Sequence, residues 1–535
     1  MIIDPMSFLP SRVTRRAVYL AGAALLCGAT SVPAQTSTAE PAAEPAAPQE
    51  QAAPAPARPW PVPYAERRFD ENWEPTDWAN PHAGARDVFD KIKAVRLNDS
   101  GSVWVSFGGS LRGRLAYQST VTYGGPFEFE PTMWTGRVRA HADLHVQKFR
   151  VFGEYIYSHS SIEALVDTFG APSPRLGFDA PNANGDILNL FGEYQTELAG
   201  WQTGVWGGRR ELLMGNQRII SPGNWLLNRH TFDGGGGWIS KGAHRVEAFA
   251  TRPRVPIPDR FTRRDDETTL SGVFYTTAIV RNRPGGGQQR ISFEPYLLNI
   301  RRDDTLFVQH IADENRYTMG MLTQGDVGST GFDFEAEGMY QYGRYETPFH
   351  RGIINAYAWT GRLGYRFVTA PLLPRVSVSL DYASGDSDPD DDSLGTFDPL
   401  YPLAWNFYGF HAAFDRKNFV AGGLHLEGLW RRVYFRSTYF PVMWRAQLND
   451  GVYNSFNEIA RRPDFQSRGG DVPDLPWASR IIGQQIDVGV FWQPTHHLQF
   501  YGTYLHFFAG QFFTDTQTAP RADMNGVMLL TQFSF

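Results

Sequence analysis

Residues 137–147 read RVRAHADLHVQ. Val138, Ala140, Ala142, Leu144 and Val146 take every second place, and Arg137, Arg139, His141, Asp143, His145 and Gln147 take the places between. Successive side chains of a β-strand point to opposite faces, so this stretch is a strand with one oily and one charged side. Working outward, the same rule holds in VWVSFGGSLRGRLAYQ, where Val103, Val105, Phe107, Leu111, Leu115 and Tyr117 oppose Ser106, Ser110, Arg112, Arg114 and Gln118. It holds in GFDFEAEGMYQY, with Phe332, Phe334, Ala336, Tyr340 and Tyr342 opposite Asp333, Glu335, Glu337 and Gln341. It holds again in NAYAWTGRLGYRF, with Tyr357, Trp359, Leu363, Tyr365 and Phe367 opposite Thr360, Arg362 and Arg366.

About eighteen such segments are expected, centred near residues 110, 141, 154, 193, 206, 234, 247, 274, 295, 319, 338, 360, 380, 424, 438, 487, 504 and 529. Those near 206 and 234 alternate poorly. Short connections such as KF, LAG, KGAH, GDVGSTG, WRR and QPTHH follow the even segments, with RNRPGGGQQ the least regular of them. Long ones follow odd segments, among them Phe169 to Gly185, Pro253 to Asp266, Ser384 to Lys417 and Leu448 to Ser479. A soluble β-sandwich or β-helix also alternates, but it would need a second sheet to cover the aromatic side of nearly every segment. The pattern instead predicts an all-β fold: a transmembrane antiparallel up-and-down β-barrel of about eighteen strands, with short periplasmic turns and long extracellular loops. An aromatic content of 14% suits girdles at two membrane interfaces. The closing LLTQFSF alternates up to Phe535, as expected of a last strand that pairs with the first and so loses its bare edge. A terminal Phe in such a pattern also resembles the signal read by the outer-membrane insertion machinery.

Ahead of the barrel, Arg12, Arg15 and Arg16 precede an apolar run from Ala17 to Ala29 and then Val32-Pro33-Ala34, so residues 1–34 read as a secretory signal peptide. The only cysteine, Cys27, lies in that run, which excludes disulfides and thiolate chemistry from the mature chain. Residues 35–59, QTSTAEPAAEPAAPQEQAAPAPARP, are too poor in large apolar side chains to repay ordering and form an Ala/Pro-rich disordered linker. Residues 60–98 form a periplasmic segment and residues 99–535 the barrel. No later stretch approaches the roughly 20 apolar residues that a spanning helix needs.

Five of the fifty basic residues are lysine, so the cations are overwhelmingly guanidinium, which stays charged and binds carboxylates through a fork. The candidate pore-lining residues are Arg112, Arg114, Arg137, Arg139, Arg362 and Arg366, with Arg209, Arg229 and Arg436 also placed on polar faces. Asp143, Glu154, Glu193, Asp333, Glu335, Glu337, Asp381, Glu427 and Asp487 share those faces, so some pairing is required. The first two strands carry four arginines against Asp143 alone, and the eleventh carries three acids, which predicts a polarised lumen. The net charge of −6 is dominated by acidic loops.

Several stretches together resemble the alginate-export family of outer-membrane barrels: DKIKAVRL, FGGSLRGRLAY, FRVFGEY, GGRRELLMGNQRIISPGNW with NRHTFDGG, YQYGRYE with INAYAWTGRLGYRF, and DYASGDSDPDDDSLGTFDPLYP. The resemblance covers nearly all of Arg67 to Phe535. It implies a passive pore that carries a polyuronate to the cell surface through an arginine-rich constriction. An uptake porin for uronates or other small anionic solutes is the alternative within transport, and an outer-membrane barrel enzyme the alternative outside it. No His-Glu-x-x-His, phosphate-binding loop or Gly-x-Ser-x-Gly motif is present, so no catalytic residue is expected. FDGGGGW reads as a strand with little side-chain bulk.

The loop from Asp386 to Asp398 is rich in aspartate and offers oxygen to calcium, although it lacks the Gly and Glu of an EF-hand; a solvated acidic loop is the competing reading. His141, Asp143 and His145 share a strand face and suit either a metal or a hydrated lumen. No other cofactor is expected. The expected partners are an anionic polysaccharide, outer-membrane lipid and periplasmic secretion components, with no nucleic acid.

Overall fold

In the computed structural model the described residues all belong to one compact unit. The structure describes residues 88–535 except 120–131, 162–181, 258–259, 283–287, 307–310, 328–329, 349, 389–390, 404–406, 410–413, 454–458, 462–477, 496 and 517–522. The signal peptide, the linker and residues 60–87 lie outside the described residues.

Eighteen strands close one antiparallel barrel among the described residues. They are β1 (Val103–Gln118), β2 (Thr132–Val146), β3 (Phe149–Ser160), β4 (Asn182–Leu198), β5 (Trp201–Arg210), β6 (Phe232–Lys241), β7 (His244–Ile257), β8 (Thr268–Asn282) and β9 (Gln288–Leu306). The second half comprises β10 (Ile311–Asp326), β11 (Phe332–Glu346), β12 (Arg351–Arg366), β13 (Arg375–Ala383), β14 (Phe419–Trp430), β15 (Val433–Arg445), β16 (Ile481–Trp492), β17 (Leu498–Ala509) and β18 (Met524–Ser534). Each expected centre falls inside one of them. The barrel shuts where β18 pairs with β1 from Ser110↔Ser534 to Gln118↔Gly526. Phe535 extends the seam by two backbone bonds with Gly109, both 3.0 Å.

Below the point where the C-terminus stops, the edge of β1 is covered by the chain's own approach segment. Val95 and Arg96 pair with Val105 and Trp104, and Ala94 donates its N–H to Ser106 Oγ at 2.8 Å. Phe89, in the short 3₁₀ turn Val88–Ile92, packs on Phe533 and Phe535 at 5.7 and 5.4 Å. Together these cover a strand edge that would otherwise be bare.

Alternation and rim geometry follow the strand period. Phe107, Leu111 and Leu115 are exposed, while Ser106, Ser110 and Arg114 are buried. Leu111, Val138, Leu190, Val273, Leu297, Leu363, Val378, Leu424, Val488 and Leu529 form an outward apolar band. Phe149, Trp201, Phe332, Phe367, Trp430 and Trp492 face outward at the short-turn rim, and Trp134, Tyr340, Tyr357, Trp359, Trp444 and Phe508 toward the other. An apolar belt between two aromatic girdles is the surface that a bilayer solvates. The turns 147–148, 199–200, 242–243 and 431–432 are tight, with positive φ at Gln147, Ala199, Gly200, Gly242 and Arg431, as two-residue hairpins require.

Two expectations about connections are revised. The stretch from Pro253 to Asp266 is not a loop throughout: β7 runs on to Ile257 and pairs with Arg260–Arg264. The ninth and eleventh connections, 307–310 and 347–350, are as short as those of the opposite rim, because β9 to β12 are long strands.

Candidate functional site

The long fifth connection, 211–231, does not reach into solvent. Leu212, Met214, Ile219, Ile220, Trp225, Leu226 and Leu227 on it are all buried. An apolar segment of that kind must be covered, and here inward-facing side chains of the barrel cover it: Leu212, Met214, Ile219 and Ile220 share one cluster with Phe152, Phe191, Trp206, Phe249 and Phe274. Trp206 lies against β6, where the run Gly234–Gly237 leaves room; a Cβ on Gly236 would come within 2.8 Å of the Trp206 indole nitrogen. The acid-rich thirteenth connection, 384–418, folds against the fifth. Ser221 N–H donates to Tyr401 O at 2.8 Å, Tyr401 N–H to Ile219 O at 3.0 Å and Leu403 N–H to Gln217 O at 3.0 Å.

On the wall of β1 and β2, Arg114, Arg137 and Arg139 are buried and Arg112 is partly so. Arg112 donates from Nη1 to the Asn224 carbonyl (2.6 Å) and from Nη2 to Asn224 Oδ1 (3.1 Å). Arg137 donates to the same carbonyl at 3.1 Å and the same Oδ1 at 3.0 Å, and reaches Leu226 O at 2.9 Å. Arg114 donates to Trp225 O at 3.0 Å. Arg229 lies in the connection 211–231 rather than on a strand; it donates to Asn224 Oδ1 at 2.7 Å and pairs with Glu211. Arg139 is held by Glu154 at 2.9 Å, both side chains fully buried.

The acids of β11 and β13 receive cations from the two inward connections. Arg218 bonds Glu335 at 2.5 Å, approaches Glu337 and Asp381 at 3.7 and 3.4 Å, and sits 3.7 Å from the centre of the Phe407 ring. Arg416 pairs with Asp381 at 2.9 Å and donates to Tyr408 Oη at 3.0 Å. Each wall of the lumen is therefore met by loop groups of complementary polarity, carbonyls toward arginines and guanidiniums toward carboxylates.

Nearer the short-turn rim lies a second basic group. Arg362 pairs with Glu427 at 2.9 Å, and Arg375 with Asp333 at 2.5 Å and Glu427 at 3.3 Å. Arg436 donates to Thr438 at 3.2 Å, and Arg366 lies at the last place of β12. Asp143 and Glu193 both meet Arg150, at 2.8 and 3.6 Å, and Arg209 bridges Asp233 and Asp186. Asp487 is fully buried beside Gln485. Sequence reading missed Arg150, Arg218, Arg375, Arg416 and Asn224. Strand parity carries the first and third of these, since Arg150 shares a face with Glu154 and Arg375 shares one with Asp381.

Among the described residues no three His, Asp or Glu side chains gather to hold a metal ion. Asp398 engages Arg302 and the Leu400 N–H, Asp386 accepts from the Asp388 N–H, and Asp392 pairs with His350. Asp390 lies outside the described residues. His145 stacks on Trp104 at 3.7 Å and contacts Asp143 at 3.1 Å.

A family model described as alginate export matches residues 103–527. No curated protein sequence matches the chain. Among solved structures, a BenF-like porin from Pseudomonas fluorescens Pf-5 superposes with a TM-score of 0.49 at 12% identity, covering 81% of this chain and 98% of that one. Pseudomonas aeruginosa OccD3 (OpdP) gives 0.48 at 12% identity, over 80% and 91%. Pseudomonas aeruginosa OccK2 (OpdF), solved in complex with glucuronate, gives 0.48 at 10% identity, over 81% and 96%.

Proposed function

Because the chain belongs to the alginate export family, we propose that it conducts an anionic polysaccharide of the polyuronate class outward across the membrane. The protein is an outer-membrane channel; the cargo and its direction are the proposal. The observation that carries it is the bank of guanidiniums Arg112, Arg114 and Arg137 directed into a closed barrel from two neighbouring strands. A guanidinium offers a carboxylate two parallel donors and never loses its charge, so it recognises each sugar of a polyuronate without regard to pH. Conduction needs each such site to bind weakly and to have a neighbour, which a row of arginines along the wall supplies. Periplasmic enzymes would deliver the polymer to the short-turn mouth, where Arg362, Arg366, Arg375 and Arg436 are the first cations met.

The test is genetic. In a strain that makes such a polymer, deletion of this channel is expected to abolish polymer at the cell surface, and the intact chain to restore it. Unchanged secretion together with lost growth on uronates would replace export by uptake.

A further inference from the structure

The tip of the connection 211–231 occupies the arginine wall in an unusual way. Arg112 and Arg137 each turn both terminal nitrogens toward the same two oxygens, the carbonyl and Oδ1 of Asn224, and Arg229 adds a third bond to Oδ1. Two forks facing one pair of oxygens is the arrangement arginine adopts around a carboxylate. The occupant here is a neutral amide and a peptide carbonyl.

We propose that Asn224 is an internal stand-in for a uronate carboxylate, and that the segment 211–231 is a strap that fills the guanidinium site until the polymer displaces it. The inference rests on the reading of the cargo given above. The guanidinium–amide bonds are already charge-assisted on the donor side, and a carboxylate adds opposite-charge attraction that a neutral amide lacks, so it is the better ligand for these forks. The strap compensates by being tethered, which keeps Asn224 at high effective concentration. It is also anchored away from its tip, through Arg218 to Glu335 and through Leu212, Met214 and Ile219 in the lumen's apolar cluster. A small anion carrying one carboxylate competes poorly against that tether. A polymer with a carboxylate on every sugar can hold each guanidinium as it comes free, and so competes well.

The test uses the full-length protein in planar bilayers, with Asn224→Ala and the isosteric Asn224→Asp compared with wild type in potassium chloride and then with added oligouronates. Heat-modifiable gel migration confirms that each barrel is folded. Asn224→Ala removes the Oδ1 that three arginines share and leaves the carbonyl, so it loosens the strap and is expected to raise chloride current about twofold and to lower the oligouronate concentration for half-block by about tenfold or more. Asn224→Asp places a full charge in the forks and is expected to reduce both current and block. Chloride currents of all three proteins that coincide would overturn the strap, and wild-type block by oligouronates would then leave the cargo reading standing. Currents that shift as expected, with no block of any form by oligouronates, would overturn both the carboxylate stand-in and the cargo.

Discussion

Asp415 is buried in the connection 384–418, where its Oδ1 accepts the Arg416 N–H at 2.6 Å and its Oδ2 has no hydrogen-bond partner among the described residues. Burial pushes its carboxyl up to about 7, opposed by the Arg416 N–H and the charges of Arg416 and Lys417 and aided by Asp398. In the unfolded loop the same group titrates near 3.8. Between those values the packed loop holds a proton that the unpacked loop has released, so packing weakens as pH rises through that window and levels off above about 7. Protection factors of the loop amides, the intrinsic base-catalysed rate divided by the observed exchange rate at each pH, are therefore expected to be higher at pH 5 than at pH 8, and Asp415→Asn to remove most of the difference. Equal protection factors at both pH values in the wild type would contradict this. At this scale the sequence was partly legible. Parity placed Arg112, Arg114, Arg137 and Arg139 on one side of their strands, and the structure turns them inward. Asn224 was not legible, because its three arginine partners come from β1, β2 and its own connection, and no local pattern marks an amide that closure will surround with cations.

At the scale of elements, strand positions could be read because a half-buried strand must repeat every second residue, whatever its neighbours. The two segments that alternated poorly, β5 and β6, do so for a structural reason: β6 gives up its inward side chains at Gly234–Gly237 and the Trp206 indole of β5 occupies that space. The course of the long connections was not legible from periodicity. Its one available signal was composition, since Leu212, Leu213, Met214, Ile219, Ile220, Trp225, Leu226 and Leu227 are far too apolar for a loop in water. The outward band makes a depth-dependent prediction. Leu424→Arg, on the outward face of β14, is expected to cost about 2–4 kcal/mol in lipid-bilayer unfolding, whereas Val146→Arg at the short-turn rim costs about 0–1 kcal/mol. Equal costs at the two positions would contradict the assigned membrane depth.

At the scale of the whole molecule, the barrel is held shut by one seam and its lumen is crossed by two connections that grip opposite walls. The seam joins β1 to β18, which lie at the two ends of the described chain, so closure requires nearly the entire barrel to be in place first. The polarity of the lumen gives the connections their lateral order: carbonyls of the fifth settle on the wall of β1 and β2, and Arg218 and Arg416 settle on the wall of β11 and β13. These pairs are buried between the connections and the wall, where the cost of desolvating both charges offsets much of their attraction, so their main consequence is the electric field along the path. That field is what the export reading depends on. The most direct measurement is the reversal potential of the purified protein in a planar bilayer under a potassium chloride gradient. Anion selectivity, reduced by Arg112→Gln and Arg137→Gln together, is the predicted result; cation selectivity in the wild-type channel would contradict it.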